Sequence, residues 1–288
     1  MTYIIDFFQN FKKRSNIGVA IYLVLNTLIV IGLFGGFGSV QGFIFGSFVY
    51  LLSLSIALSP VGEWILRLQQ GCKPIARQEH KDRLMPLFDE VYRRAKELDP
   101  HLPDDVQLFI SKDKMPNAFA TGRKTICVTR GFLEYSDEEI KATLAHEFGH
   151  LSNKDTDLVL IVAVGNLIVT SLFIVYRLFF LAVGIIFSIA YRSIGTAIST
   201  FFIDMVLVAM MWVWTKIGTA LVMHSSRQNE YLADKFAYDC GYGDNLMTVL
   251  DSFNDYEDDN SKGLWANLAS SHPDPDERIA KIQELRAA

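Results

Sequence analysis

His146-Glu147-Phe148-Gly149-His150 is the segment of this 288-residue sequence whose residue types and spacing describe a complete piece of chemistry. Two histidines four apart project from one face of an α-helix, so their ring nitrogens can hold a single metal ion. A glutamate beside the first histidine points into the same cleft without binding directly. It can take a proton from a metal-bound water and later deliver it to a leaving amine. That is the equipment of a zinc-dependent peptidase, with one Zn2+ per chain expected at His146 and His150 and Glu147 as the base.

The helix that must carry the motif has a readable start. Ser136 is a good N-cap, Glu139 three residues later completes a capping box, and Ile140 and Leu144 supply an apolar face. The competing reading is two surface histidines on an amphipathic helix; the cap and the helical context weigh against it. A catalytic zinc usually has three protein ligands and one water. The remaining histidines, His80, His101, His224 and His272, offer no second close ligand after His150. A carboxylate suits better. In Ser226-Arg227-Gln228-Asn229-Glu230-Tyr231-Leu232-Ala233-Asp234, Glu230 and Asp234 stand four apart. Glu230 is the expected third ligand and Asp234 the acceptor for a ligand histidine's other N–H. An acidic pair on an exposed helix is the bland alternative, and spacing alone leaves it open.

Half of the residues are hydrophobic, and the mean hydropathy is +0.22. The apolar residues concentrate at 17–59 and 158–223, and the rest reads as an ordinary charged sequence. Ile17 to Phe34 and Val40 to Leu58 form a helical hairpin long enough to cross a bilayer, closed by Pro60. Lys12, Lys13 and Arg14 precede it and Arg67, Lys73, Arg77, Lys81 and Arg83 follow it. Its loop carries no charge, so both ends are expected in the cytosol. Leu158 to Tyr176 is a third span. Arg177 interrupts it before a further apolar run to Ala190, and Met205 to Met223 is a fourth, with Asp204 and Lys216 intruding. His150 and Glu230 share a metal only if the chain crosses an even number of times between them, and two spans satisfy that.

The soluble parts read as α+β. Asp82 to Leu98 has helical periodicity, with Pro86 expected in its first turn. Residues 106–110 and 125–129 read as strands, and Asn117-Ala118-Phe119-Ala120 between them as an exposed edge strand able to pair with an extended substrate. The expected fold is therefore α+β and mostly helical: about four transmembrane helices and a cytosolic zincin-like domain containing a small β-sheet. Four stretches follow: a segment and hairpin at 1–60, catalytic sequence at 61–156, a membrane pair at 157–224 and the second catalytic part at 225–288. A net charge of −5 gives no support for nucleic-acid binding, and Cys72, Cys127 and Cys240 read as reduced thiols rather than metal ligands.

Taken together, His-Glu-Phe-Gly-His before a membrane pair, Ser226-Arg227…Glu230-Tyr231…Ala233-Asp234 after it, the Asn117-to-Gly122 segment, and Ser271-His272-Pro273 with Arg278-Ile279 resemble the HtpX-type membrane metallopeptidases. These are gluzincins related to the CAAX prenyl endopeptidases. The resemblance implies zinc at His146, His150 and Glu230. It implies quality control in the bacterial inner membrane, with misfolded or damaged membrane proteins cut at the cytosolic face. It also places Asn117 beside the cleft and His272 where it would stabilise the oxyanion; the bland alternatives are a turn residue after Pro116 and a helix-entry residue. Arg227 would pair with an acid such as Asp234 or anchor at the lipid interface. One departure is that 178–203 is largely apolar where the family has a more polar loop. Two other functions stand behind the leading one. A CAAX-type prenyl-protein protease would need a larger membrane chamber than about four spans enclose. A silent scaffold would have no use for Glu147.

Overall fold

The computed structural model describes residues 17–34, 36–254 and 273–287. Two apolar helices, α1 (Ile17–Leu33) and α2 (Val40–Ala57), form the first hairpin, and Ser39 caps α2 by accepting from the Gly42 N–H at 3.0 Å. A short amphipathic helix, α3 (Pro60–Gln69), follows, capped by Ser59 with proline at its first position.

The soluble unit begins with the two-residue strand β1 (Lys73–Pro74), then α4 (Gln78–Leu98), β2 (Gln107–Ser111), β3 (Ala118–Thr121) and β4 (Thr125–Thr129). The sheet order is β1-β2-β4-β3, with β2 and β4 parallel and the other pairings antiparallel. β3 is thus an edge strand, as its sequence predicted. Pro86 does not open α4 but lies within it. Asp82, whose carbonyl loses its helical partner to the proline, and Pro86 are both exposed, so water can satisfy the orphaned oxygen.

Helix α5 (Asp137–Asn153) starts at the predicted capping box: the Glu139 N–H donates to Ser136 Oγ and the Ser136 N–H to Glu139 Oε2. It ends at Lys154 in the left-handed conformation, φ 58°. The chain then enters α6 (Thr156–Leu160), a π-helical turn at Ile161–Gly165, and α7 (Asn166–Ala190) without a break. After a short turn, α8 (Ile194–Asp239) runs for 46 residues, and α9 (Gly243–Asn254) and α10 (Pro275–Ala287) complete the unit. Leu84, Phe88, Val91, Ile126, Ile140, Leu144, Phe148, Ala237, Leu250 and Ile282 form its shared core.

The membrane segments differ from the sequence reading in their boundaries. Arg177 does not interrupt a helix. Its guanidinium makes a two-point ion pair with Asp204 on α8, with Nη2 to Oδ2 at 2.8 Å, so each charge cancels the other and both helices continue. The turn of the second hairpin is therefore confined to 191–193, and the rest of 178–203 is helical. Among the described residues three helices are long and apolar enough to cross a membrane, within Val40–Ala57, Thr156–Ala190 and Ile194–Trp214; Ala20–Leu33 is apolar but shorter. Helix α8 runs unbroken through residue 224, so the end of the apolar sequence and the start of the polar sequence share one rod.

Candidate active site

Two helices bring the site together. Phe148 faces the core, with its ring 5.1 Å from that of Tyr92 and 5.5 Å from that of Phe88, which fixes the rotation of α5 and turns His146 and His150 the other way. Opposite them, the soluble end of α8 presents Glu230 and Asp234, both buried. At the crossing, a Cβ on Gly149 would lie 2.7 Å from Ala233 Cα, so the two backbones touch at a distance that glycine alone allows.

The histidine Nε2 atoms converge at 3.1 Å. Glu230 completes a triangle, with one oxygen 3.5 Å from His146 Nε2 and the other 3.5 Å from His150 Nε2. His146, Glu147 and His150 also form a group of ligand atoms lying within 4.8 Å of one another. Each histidine is held from behind. His146 Nδ1 meets Asp234 Oδ1 at 2.9 Å, and His150 Nδ1 meets Asp155 Oδ2 at 3.0 Å. With Nδ1–H committed to a carboxylate, each ring turns the lone pair of Nε2 toward the cleft. Glu230 and Asp234 thus both lie against the histidines, Glu230 at the Nε2 side and Asp234 behind His146.

Arg278 on α10 ties the acidic side together. It donates to Asp234 through Nε at 2.8 Å and Nη2 at 2.6 Å, and its Nη1 lies 3.3 Å from Glu230. Against the cost of burial, this guanidinium holds the Asp234 carboxyl down at about 2. Burial also disfavours charge on the histidines, but their carboxylate neighbours outweigh it. His150 is pushed up to about 10 by Asp155, Glu230 and Glu147, and His146 is raised by Asp234 and Glu230. The cradle thus attracts positive charge. Glu147 is raised above the ordinary carboxylate range, chiefly by burial. Its Oε2 accepts the Ala120 N–H at 2.6 Å.

That contact turns the outer edge of β3 toward Glu147. Thr129 N donates to Asn117 O at 2.9 Å, and Phe119 and Thr121 sit two and four residues further along the antiparallel ladder. The main-chain groups of Ala118 and Ala120 therefore point away from β4, toward the cleft. The side chain of Phe119 packs near Cys127, on the face of the sheet occupied by Cys72 and Phe109. Asn117 is exposed, and its own N–H is bound to Thr129 Oγ1 at 2.8 Å. His272 and the Arg227 side chain lie outside the described residues. Asp274 does cap α10, accepting from the Asp276 N–H at 2.8 Å.

Sequence reasoning missed Asp155 and gave Arg278 no role of its own. Asp155 follows His150 by five residues, just past the helix end, where no helical periodicity applies. Arg278 is separated from Asp234 by 44 residues, and only folding pairs them.

The sequence pattern of peptidase family M48 matches residues 84–286, which contain every member of this cluster. A "Protease HtpX homolog" of Bacillus licheniformis is 26% identical over 285 residues, covering 92% of this chain and 89% of the relative. Its counterpart in Bacillus subtilis is 27% identical over 267 residues, covering 86% and 83%. "Protease HtpX" of Pseudomonas aeruginosa is 30% identical over 200 residues, covering 66% and 62%. The crystal structure of S. mikatae Ste24p aligns with a TM-score of 0.43 and 20% identity over 97% of this chain and 65% of that one. With a match spanning most of the chain and all of the buried histidine and carboxylate cluster, the chain belongs to peptidase family M48.

Proposed function

We propose that the chain is a membrane-anchored zinc endopeptidase, with His146, His150 and Glu230 as the metal's ligands and Glu147 as the base. The observation that carries this is the convergence of two Nε2 atoms and the Glu230 carboxylate while both Nδ1 atoms are engaged from behind. A tetrahedral site with bonds of 2.0–2.1 Å has ligand-to-ligand edges of about 3.3–3.4 Å. The separations of 3.1–3.5 Å between these atoms fit that donor set. Zinc there supplies Lewis acidity toward a substrate carbonyl and toward water.

The protein's own groups do the rest. Glu147, raised by burial, accepts a proton at its carboxylate and returns it to the departing amine. The outer edge of β3, Ala118 to Ala120, binds an extended substrate by main-chain pairing, which is largely indifferent to side chains, beside the Ala120 N–H that Glu147 accepts. Asn117, at the start of that edge, is assigned a place beside the cleft where the extended substrate pairs, His272, just before α10, is assigned to the developing oxyanion, and Arg227 to the lipid interface or an acidic neighbour. The catalytic unit is assembled from 61–156 and 225–288, on either side of the membrane pair 157–224. Misfolded or damaged membrane proteins, cut at the cytosolic face of the bacterial inner membrane, are the proposed substrates, and a binding mode that reads main chain rather than side chains supports that breadth.

The test is metal analysis of the purified protein beside cleavage of unfolded casein, comparing wild type with Glu147→Gln. The proposal expects about one zinc per chain in both proteins, and loss of cleavage by about 10²–10⁴-fold in the variant. Cleavage within tenfold of wild type would remove Glu147 from its role.

A further inference from the structure

The turn that joins β3 to β4 is gripped by two acidic residues that mark the edge of the apolar sequence. Glu63 is the first charged residue after the apolar stretch 17–62, and Asp157 is the last before the apolar run 158–176. Glu63, buried on α3, accepts from the Arg123 N–H at 3.3 Å, the Lys124 N–H at 3.2 Å and Thr125 Oγ1 at 2.5 Å. Asp157 receives the Arg123 guanidinium in a two-point pair, Nε to Oδ1 at 3.0 Å and Nη2 to Oδ2 at 2.8 Å, with both side chains nearly enclosed. Gly122 makes the fit possible: its φ is +61°, and a Cβ there would lie 2.4 Å from Glu63 Cδ.

Helix α3 supplies the plane. Its outward face carries Val61, Trp64 and Leu68, each more than half exposed, while Glu63 and Leu66 face inward. An amphipathic helix with an outward tryptophan, directly after a spanning helix, lies at the boundary between headgroups and acyl chains. The β3–β4 turn is therefore held at the bilayer surface. Ala120, whose N–H reaches Glu147, precedes Arg123 by three residues, about 10 Å of extended chain.

We infer that β3 acts as a ruler set on the membrane, and that the preferred substrate is a juxtamembrane segment cut about three to five residues from where it leaves the bilayer. A strand added along the outer edge of β3 has one end at the pinned turn, where a polypeptide emerges from lipid, and the Glu147 position, marked by its bond to the Ala120 N–H, lies at that short fixed distance along it. Glu63, Arg123 and Asp157 are positioning residues in this reading: they touch neither substrate nor metal, but hold the edge that does. The inference rests on the peptidase function proposed above.

The test places the full-length protein in liposomes with substrates made of one apolar helix, a uniform spacer and a folded domain. Spacer length is varied, and cut sites are mapped by mass spectrometry. The ruler expects one dominant site at a constant distance from the helix end, unmoved when the spacer is lengthened or its residues are permuted, and no cutting when the spacer is shorter than that distance. Arg123→Met/Asp157→Met, which removes both charges together, should spread the cut sites over several positions; as a ratio among products, this is independent of overall rate. Cut sites scattered evenly along long spacers, or following residue type, would overturn the inference. Casein in free solution separates the layers. If casein is cut while the anchored series shows no fixed distance, the ruler alone is wrong. If neither is cut by metal-loaded protein, the peptidase reading fails and the ruler with it.

Discussion

Gly149 and Ala233 are in contact backbone to backbone, with 2.7 Å between a Cβ that Gly149 lacks and Ala233 Cα. This crossing of α5 and α8 sets how far Glu230 stands from the two histidines. Gly149→Ala must push the helices apart, since the obstruction is main chain and cannot rotate away. Overpacking of this kind costs about 1–3 kcal/mol. We expect metal affinity to fall by about tenfold or more, with a lower melting temperature, measured by competition with a chelator and by thermal unfolding. Unchanged affinity would mean that the crossing does not tune the site.

Glu230→Ala should lower metal content and activity together, because it removes the only carboxylate lying 3.5 Å from both Nε2 atoms among the described residues. Glu284→Ala, an exposed acid on α10, serves as the control and should change neither. Full zinc occupancy in Glu230→Ala would place the third ligand elsewhere.

Acid should erode the Asp234–Arg278 pair in a defined window. Asp234 titrates at about 2 in the folded protein, against about 3.9 when unfolded. A depressed carboxylate contributes stability above its unfolded value, and that contribution disappears as pH falls through the folded value. The shift corresponds to roughly 2–3 kcal/mol. In metal-free protein, wild type should be more stable than Asp234→Asn at neutral pH, with the margin narrowing between about pH 4 and pH 2. A margin that does not depend on pH would assign it to packing.

Ala120→Pro removes the N–H that Glu147 accepts, on an edge strand where the ladder to β4 does not use that group. Cleavage should drop sharply with zinc and melting temperature retained, and Ala120→Ser should be mild. Unfolding with metal loss would show that the strand cannot spare the group. Full activity would remove this edge from substrate binding.

Topology is open to a direct measurement, since the three native cysteines are buried. A cysteine at position 37, in the exposed turn of the first hairpin, should be labelled from outside the cell, and one at position 89 on α4 only from inside. Labelling of position 89 from outside would invert the orientation.

The local sequence determined most features that depend on neighbours in the chain, the start of α4 ahead of Pro86 being the exception. The capping box of Ser136 and Glu139, the i to i+4 placement of His146 and His150, the strand character of 118–121 and 125–129, and the apolar segments all follow from short-range periodicity and hydrogen-bond chemistry. Spacing alone also placed Glu230 and Asp234 on one side of a helix. What the tertiary structure decided is which groups meet across long separations. Arg177 reads as a break in a span because an unpaired charge is costly in lipid; its cancellation by Asp204 depends on two helices packing side by side. Arg278 reaches Asp234, and Glu63 reaches the β3–β4 turn, across 44 and about 60 residues of sequence. Such contacts are specified by the packing of whole elements and leave no periodic trace in the residues that make them. Asp155 is the intermediate case: it is close in sequence to His150, but its reach back to Nδ1 depends on the left-handed turn at Lys154, a backbone choice that only the folded chain displays.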